Sequence, residues 1–483
     1  MVARLFFAFL LVLVLFGSVL GTFFSGDDFF HFKVANESLS RGIVYTFGFH
    51  PFAERSIAFY RPLSREILYG VYYRLFGLNH QPIRVFQFLI LFANMTLAYF
   101  LIRKIFKDQN LAFLTALFVG ISAANIGILY YLAGGIQILM ASTFFLLTLI
   151  LFINNHRTMA YFAFLAAIFS HELAHAAAPL IFLLEAFVLG KPTKSSVIAS
   201  LPFFVTSLVF IYLEFRVIGF SGGEIQYQPS FEVKSVINTL SWYLAWAFGL
   251  PEMLIDFVRP GLKLDPHLLK FWGGNFAVIF SSFFVSLVLL LYSAAHLLFK
   301  RSKQIFDRKF LFLLIWFPLG IFPLLFLPLH KSTYYLAVSL PAFWGAIFFL
   351  AKNSLSYLSF AILIAALTVL SVSSVQIGKE TYWASQRGRF AERILFGLKQ
   401  QYPTLPEGAV VYFKNDPNYP FIAEDWGGSS KQAFFILSGD NAAQLLYKDN
   451  SIRSYYEDLG SLPEEVDNKE VYPFVVEIYD RTP

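Results

Sequence analysis

The sequence predicts an all-α polytopic membrane protein that ends in a small α/β domain. Three observations carry this reading. Hydrophobic residues make up 57% of the 483 positions and charged residues 14%, against about 45–50% and about 25% in soluble domains. Phenylalanine alone supplies 60 residues, and the mean hydropathy is +0.61. Apolar runs long enough to cross about 30 Å of hydrocarbon recur through residues 1–376 and then stop. The charge changes at the same place: residues 1–376 hold 26 basic and 15 acidic side chains (+11), residues 377–483 hold 11 and 16 (−5). A soluble globule, a disordered chain and a coiled coil are excluded. There is no cysteine, hence no disulfide, thiolate nucleophile or thiolate metal site. The basic residues sit at helix ends and form no single patch, so the expected partner is the bilayer and not nucleic acid.

The first span is expected from Leu5 to Phe24. A basic residue precedes it, as in a signal peptide, but the apolar run is too long and lacks a good cleavage site, which favours a retained anchor. Further spans are expected at roughly 84–102, 110–131, 135–153, 158–170, 176–189, 197–217, 274–299, 310–328, 333–350 and 355–376, eleven in all. The 158–170 segment is short. The apolar stretch 236–258 is interrupted by Gly249-Leu250-Pro251-Glu252 and reads as re-entrant or interfacial. With the N-terminus cytoplasmic, the inner positions contain Arg4, Arg103, Lys104, Lys107, Arg157, Lys191, Lys194, Lys300, Arg301, Lys303, Arg308, Lys309 and Lys352. The short outer loops contain Lys331. This asymmetry is the positive-inside pattern. It places two long loops, 25–83 and 218–273, and the 377–483 tail on the extracytoplasmic side of a multi-pass cell-membrane protein. The domain division expected is 1–376 and 377–483.

In the tail, Thr381 to Tyr402 reads as an amphipathic helix. Gly408 to Phe413 reads as a strand after a turn at Pro403–Pro406, and Gln432 to Leu437 and Tyr472 to Tyr479 are further strand candidates. No internal repeat is visible.

The most informative segment is Ser25-Gly26-Asp27-Asp28-Phe29-Phe30-His31, an acidic pair just outside the first span. Topology alone would also allow acids there. The loop continues with Tyr60-Arg61-Pro62-Leu63-Ser64-Arg65 and then Leu68 to Asn79, which read as amphipathic helices on the membrane surface. Arg61 and Arg65, four apart, would share one helical face. Their forks suit phosphate, and interfacial anchoring calls for the same residues.

Together these features resemble the GT-C superfamily of polytopic glycosyltransferases, most closely the protein O-mannosyltransferase and aminoarabinose-transferase type. The resemblance covers residues 1–190 well, 310–350 loosely and the tail hardly at all. It implies transfer of a sugar from a polyprenyl-phosphate donor to a hydroxyl acceptor (protein, lipid or polysaccharide) outside the membrane. An aspartate of the first outer loop would be the general base of an inverting single displacement. The hydroxyl needs a base as it attacks, and the phosphate leaving group needs positive charge. Asp27 is the expected base, with Asp28 its partner or the base itself; adjacent carboxylates also raise each other's pKa. The resemblance further implies substrate contacts from His31, Tyr60, Arg61 and Arg65. No cofactor is expected; a divalent cation stays open.

His171-Glu172-Leu173-Ala174-His175 matches the HExxH zincin pattern, which makes an intramembrane zinc metalloprotease the rival reading. A catalytic zinc needs a third protein ligand, and no partner motif stands out. The same segment, Phe169 to Leu180, resembles a Ser-Lys-Glu…Pro segment of GT-C enzymes, with His171 in place of the lysine. In that role Glu172 would orient a sugar, an acceptor or Arg61, and His171 and His175 would line the substrate site. The charge of His171 at neutral pH is then in question. A third segment, Pro328 to Tyr335, resembles the basic residue before a Tyr-rich helix start. It implies carrier-phosphate contacts from His330, Lys331 and Tyr334, although a snorkelling lysine explains Lys331 equally.

In the second long loop, Glu224, Glu232, Glu252, Asp256, Arg259, Asp265 and His267 would line an acceptor groove or simply solvate the loop. Trp242, Trp246 and Trp272 read as interface-belt residues. Gly134-Gly135 and Gly222-Gly223 read as turns, and no nucleotide-binding loop is present. A non-enzymatic transporter of lipid-linked sugar would need polar residues inside the helices, and few are visible.

Overall fold

Helices form along the apolar runs, and short polar residues set their starts. Asp108 accepts from the N–H groups of Asn110 and Leu111 (2.9 and 3.0 Å) to begin helix Gln109–Ile121. Asp307 does the same for Arg308–Gly320, and Asp265 for Pro266–Phe299. Each such cap is worth about 1 kcal/mol. The computed structural model describes residues 2–219, 224–261, 263–300, 307–418, 427–462 and 470–477. The expected turn at Gly222-Gly223, the basic residues Arg301 and Lys303, and residues 478–479 of the last expected strand lie outside the described residues.

Among the described residues six helical runs are long and apolar enough to cross a membrane: Ala3–Gly21, Gln81–Phe106, Leu132–Ile153, Thr193–Ile218, Pro266–Phe299 and Tyr357–Gln401. Gln109–Ile121, Arg157–Ile168 and Leu340–Lys352 are apolar but shorter. Six of the eleven expected spans meet both criteria among the described residues. The 176–189 segment divides into helix Ala177–Leu183 and a π-helical turn at Leu184–Val188. The 310–328 segment stops as an α-helix at Gly320 and continues as a 3₁₀ turn, Phe322–Phe326. The 333–350 segment opens as a 3₁₀ turn, Thr333–Val338, before helix Leu340–Lys352. Prolines 318, 323 and 341 lie in or beside these last two breaks, where a missing N–H interrupts the helical ladder. Large apolar side chains such as Leu208, Phe215, Phe284 and Val288 point outward. Water tolerates few such surfaces and hydrocarbon accepts them; the chain is a multi-pass membrane protein.

The chain divides into two compact units. One comprises Met1–Gly17, Gly48–Ser64 and Val85–Tyr382. Its interior is aromatic, with Trp316, Trp344 and Phe118 fully buried. Gly134 and Gly135, expected as a turn, instead lie in the first turn of helix Leu132–Ile153. A Cβ on Gly135 would lie 1.7 Å from the Ile128 carbonyl oxygen. Because that atom is backbone, it cannot swing aside. Gly135→Ala is expected to cost about 1–3 kcal/mol by overpacking, read as a lower thermal-unfolding midpoint in detergent. An unchanged midpoint would contradict the close approach.

The second unit comprises Ser18–Phe47, Arg65–Arg84 and Trp383–Pro483. It contains a three-stranded parallel sheet of order β4-β3-β5, with β3 at Val410–Asn415, β4 at Arg453–Tyr456 and β5 at Val471–Val476. A separate two-residue ribbon, β1 (Val258–Arg259) with β2 (Lys263–Leu264), belongs to the first unit. Parallel sheets require covered faces. Helices Trp383–Gln401, Ser429–Leu437 and Asn441–Tyr447 accompany this one. Residues 432–437, expected as a strand, belong to a helix. Its buried Ala433, Ile436 and Leu437 recur at i, i+3 and i+4, the spacing of one helical face. A short apolar run does not discriminate between the two by itself. The first outer loop contributes helices Asp27–Ser40 and Leu68–Phe76 to this unit, where they pack together and against Asn441–Tyr447.

Candidate active site

The acidic pair opens helix Asp27–Ser40 directly after Gly26, whose φ of 53° is a glycine conformation. The two carboxylates face different surroundings. Asp28 is 2% exposed. Its Oδ2 accepts from the Ser25 N–H at 3.1 Å and its Oδ1 from the Tyr69 hydroxyl at 3.3 Å. Ser25-x-x-Asp28 has the capping-box spacing, in which an acid three residues on reaches back to an N–H at the helix start. That spacing was legible in the sequence and accounts for the bond from the Ser25 N–H to Asp28. Asp27, one position earlier, is exposed.

Burial pushes the Asp28 carboxyl up to about 7, against the opposing charge of Arg84 and the Ser25 bond. In the native state Asp28 holds its proton between about 4 and 7, where the unfolded chain has lost it. Its contribution to stability thus falls as pH rises through that window and is level above it, with a slope of at most about 1.4 kcal/mol per pH unit. Thermal unfolding across pH 4–8 should show this fall, and Asp28→Asn should flatten it. An unaltered slope in the variant would remove Asp28 as its source.

His31 lies one turn beyond Asp27, half-buried, edge-on to Tyr69 at 5.3 Å. Arg65 is buried, with Nη2 donating to Glu66 Oε1 at 2.7 Å. The single α-helical face expected for Arg61 and Arg65 does not form. Arg61 precedes the helical run, and Pro62–Ile67 winds as a π-helix.

The first unit holds its own polar cluster. Arg61 directs its fork at Glu172, Nε to Oε2 at 2.9 Å and Nη2 to Oε1 at 2.6 Å, and its Nη1 donates to Gln137 Oε1 at 2.8 Å. Two bonds between neighbouring segments hold this arrangement: Leu63 N–H to the Phe169 carbonyl (3.1 Å) and Ser64 Oγ to the Ser170 carbonyl (2.6 Å). Tyr60 stacks on Phe49 at 4.0 Å, and its N–H donates to the Glu214 carboxylate at 3.2 Å. Burial raises the Glu172 carboxyl, but the Arg61 charge and hydrogen bonds, with His171, outweigh it and hold it at about 2. It is ionised throughout the physiological range.

The HExxH segment does not take the zincin form. His171 is extended (φ −167°, ψ 140°), and only Glu172–Ala176 is helical, as a 3₁₀ turn. The two histidines therefore do not project from one α-helical face. His171 Nδ1 accepts from the Leu173 N–H at 3.2 Å, and Glu172 is engaged by Arg61. Among the described residues no three His, Asp or Glu side chains gather as a metal site. Burial, reinforced for His171 by Arg61, pushes the two histidines down to about 3 and about 4. His171 is accordingly neutral at physiological pH and does not replace the charge of a lysine.

At the third segment, Lys331 Nζ donates to Asn238 Oδ1 at 3.2 Å, and burial lowers its pKa. His330 Nε2 lies 2.5 Å from the Tyr335 hydroxyl, and its ring lies 4.6 Å from that of Tyr227. Tyr334 is buried against Tyr335 and Tyr131. The start of this segment is held by Glu252, which accepts from the Thr333 N–H at 2.7 Å, from the Ser332 hydroxyl and from the Thr333 hydroxyl. Burial pushes the Glu252 carboxyl up. In the sequence Glu252 reads as one of several loop acids that line an acceptor groove or solvate the loop. Its position after the Gly249 reversal (φ 118°) gave no sign of its partners eighty residues away. Arg259, Asp265 and His267 form an exposed local cluster beside the short β1–β2 ribbon.

No family model matches the sequence, and no curated protein matches it. Among solved structures, the chain is similar to the archaeal oligosaccharyltransferase AglB from Archaeoglobus fulgidus, in complex with an inhibitory peptide and a dolichol-phosphate. The TM-score is 0.48 at 14% identity, over 95% of this chain and 65% of that one.

Proposed function

We propose that this protein is a membrane glycosyltransferase that moves a sugar from a polyprenyl-phosphate carrier to a hydroxyl acceptor on the extracytoplasmic side. The carrying observation is the exposed Asp27 carboxylate on the first turn of an extramembrane helix, beside an Asp28 turned inward. In this reading Asp27 takes the proton of the acceptor hydroxyl as its oxygen bonds to the anomeric carbon. The bond from that carbon to the phosphate oxygen breaks, polyprenyl phosphate leaves, and the configuration inverts. Lys331, a half-buried lysine on the outer side of the proposed topology, is the residue proposed to meet the carrier phosphate. The bonds from Arg61 to Glu172 and Gln137 support a positioning role for that arginine. The cytoplasmic N-terminus and extracytoplasmic tail of this reading rest on the distribution of basic residues.

The test is carrier release from a polyprenyl-phosphate sugar in the presence of a hydroxyl acceptor, with purified protein in detergent or liposomes. Turnover by the wild type that is lost in Asp27→Asn is the expected result. No turnover above background with any polyprenyl-phosphate sugar would overturn the reading.

A further inference from the structure

The helix that carries Asp27 is tied to the C-terminal α/β region at its start and again in its second turn. The Gly26 N–H, immediately before Asp27, donates to the Ile436 carbonyl at 2.6 Å. Ile436 lies in the last turn of helix Ser429–Leu437, where the final four carbonyls lack partners within their own helix. One of these is thus satisfied by the residue that starts the acid-pair helix. A Cβ on Gly26 would lie 3.4 Å from the Phe435 carbonyl oxygen, and its φ of +53° already disfavours any side chain. Further along, Lys33 Nζ donates to Gln444 Oε1 at 2.6 Å and to Asn450 Oδ1 at 2.7 Å. On the adjacent helix the Tyr73 hydroxyl donates to the Leu445 carbonyl at 2.8 Å. Upstream, Gly388 of helix Trp383–Gln401 lies so close to the chain that a Cβ there would sit 2.8 Å from the Phe23 carbonyl oxygen.

We infer that the C-terminal α/β region is a positioning element for Asp27, acting through the Gly26–Ile436 hydrogen bond and the Lys33 contacts with Gln444 and Asn450. The inference rests on the reading of Asp27 as the base. Its physical basis is the steep dependence of catalysis on placement: about 1 Å of displacement costs up to about a hundredfold in rate. A helix whose start is held by a neighbouring helix end, and whose second turn is held by an amide pair, has little freedom to shift. The region thereby has a role even where it meets no substrate.

The experiment measures kcat, donor KM and thermal midpoint of full-length protein for six variants. Gly26→Ala and Lys33→Ala loosen the two ties. Gln444→Ala, alone and combined with Lys33→Ala, tests whether Lys33 acts through Gln444. Lys33→Arg is the conservative variant. Gly42→Ala is a control for backbone strain alone: Gly42 also has positive φ (99°), on the same unit, but a Cβ there meets nothing within 4 Å. Gly26→Ala and Lys33→Ala should lower kcat at least about tenfold, a barrier change of about 1.4 kcal/mol, with donor KM nearly unchanged. The double variant should fall no further than Lys33→Ala, Lys33→Arg should recover most of the rate, and Gly42→Ala should retain it. Unchanged kcat in Gly26→Ala and Lys33→Ala, with Asp27→Asn inactive, would overturn the inference while leaving the proposed function standing. An equal rate loss in Gly42→Ala that follows the thermal midpoint would overturn it as well. Full activity of Asp27→Asn would instead overturn the proposed function and the inference with it.

Discussion

Asp27→Asn is expected to fold normally and to lose about 10²–10⁴-fold in turnover, the range that a positioned general base supplies. The substitution is isosteric and its site exposed. Loss of the interaction of a negative charge with the helix N-terminus costs about 1 kcal/mol or less. Asp28→Asn is expected to behave in the opposite way. Its amide oxygen can still accept from Ser25, but the Tyr69 bond is perturbed and the titration, in which Arg84 opposes burial, is removed. The measurable change then falls on stability and its pH dependence, with much of the turnover retained. Carrier release and thermal unfolding of the two variants, measured together, separate the roles. If Asp28→Asn abolishes turnover and Asp27→Asn does not, the assignment of the base is reversed.

Glu172→Ala is expected to have the largest effect on stability. Arg61 is buried and gives its fork to Glu172. Removing the carboxylate leaves a buried guanidinium that donates to Gln137. Breaking one side of a buried pair typically costs about 3–5 kcal/mol. Glu172 retains some access to solvent, which places the expected loss near the lower end. Replacing both partners with apolar residues, Arg61→Met with Glu172→Leu, should recover a substantial part of the stability, because no uncompensated charge then remains. A lowered midpoint in detergent that the double variant partly restores is the expected pattern. A double variant less stable than either single one would show that the cost lies in packing instead. The same substitutions bear on His171. With Arg61 gone, one of the influences that keep the imidazole neutral is removed. Burial remains the larger one, so His171 is expected to stay neutral at pH 7 in the Arg61→Met protein, as imidazole NMR shifts would report.

Much of the fold was legible from pattern. The tail helix, expected at 381–402, forms at Trp383–Gln401, and the strand expected at 408–413 forms at Val410–Asn415. Both are marked by turn residues and periodicity over a whole element. Residues 432–437 misled because six apolar-rich residues fit a strand and a helix alike, and only packing against the sheet selects between them. Helix continuity was overread at 310–328 and 333–350. Hydropathy averages over a window and is blind to a proline that removes one N–H from the ladder. At the site, the Ser25-x-x-Asp28 spacing makes the backbone bond of one acid of the pair readable. No comparable sign linked Glu252 to Thr333, because their meeting depends on a chain reversal at Gly249.

The sequence by itself determined the membrane class, the mildly acidic tail and the positions of the acidic pair, Arg61, Glu172 and Lys331. Hydrophobicity, charge and local spacing are properties of the chain that need no tertiary partner. Only the tertiary structure decided that Asp27 is exposed while Asp28 is buried, and that Arg61 meets a glutamate 111 residues away. It also decided that the HExxH segment breaks its helix at His171, and that the tail holds the start of the acid-pair helix. Each of these depends on which groups exclude water from one another. That exclusion sets both the cost of a charge and the value of a hydrogen bond, and it arises only when distant segments pack.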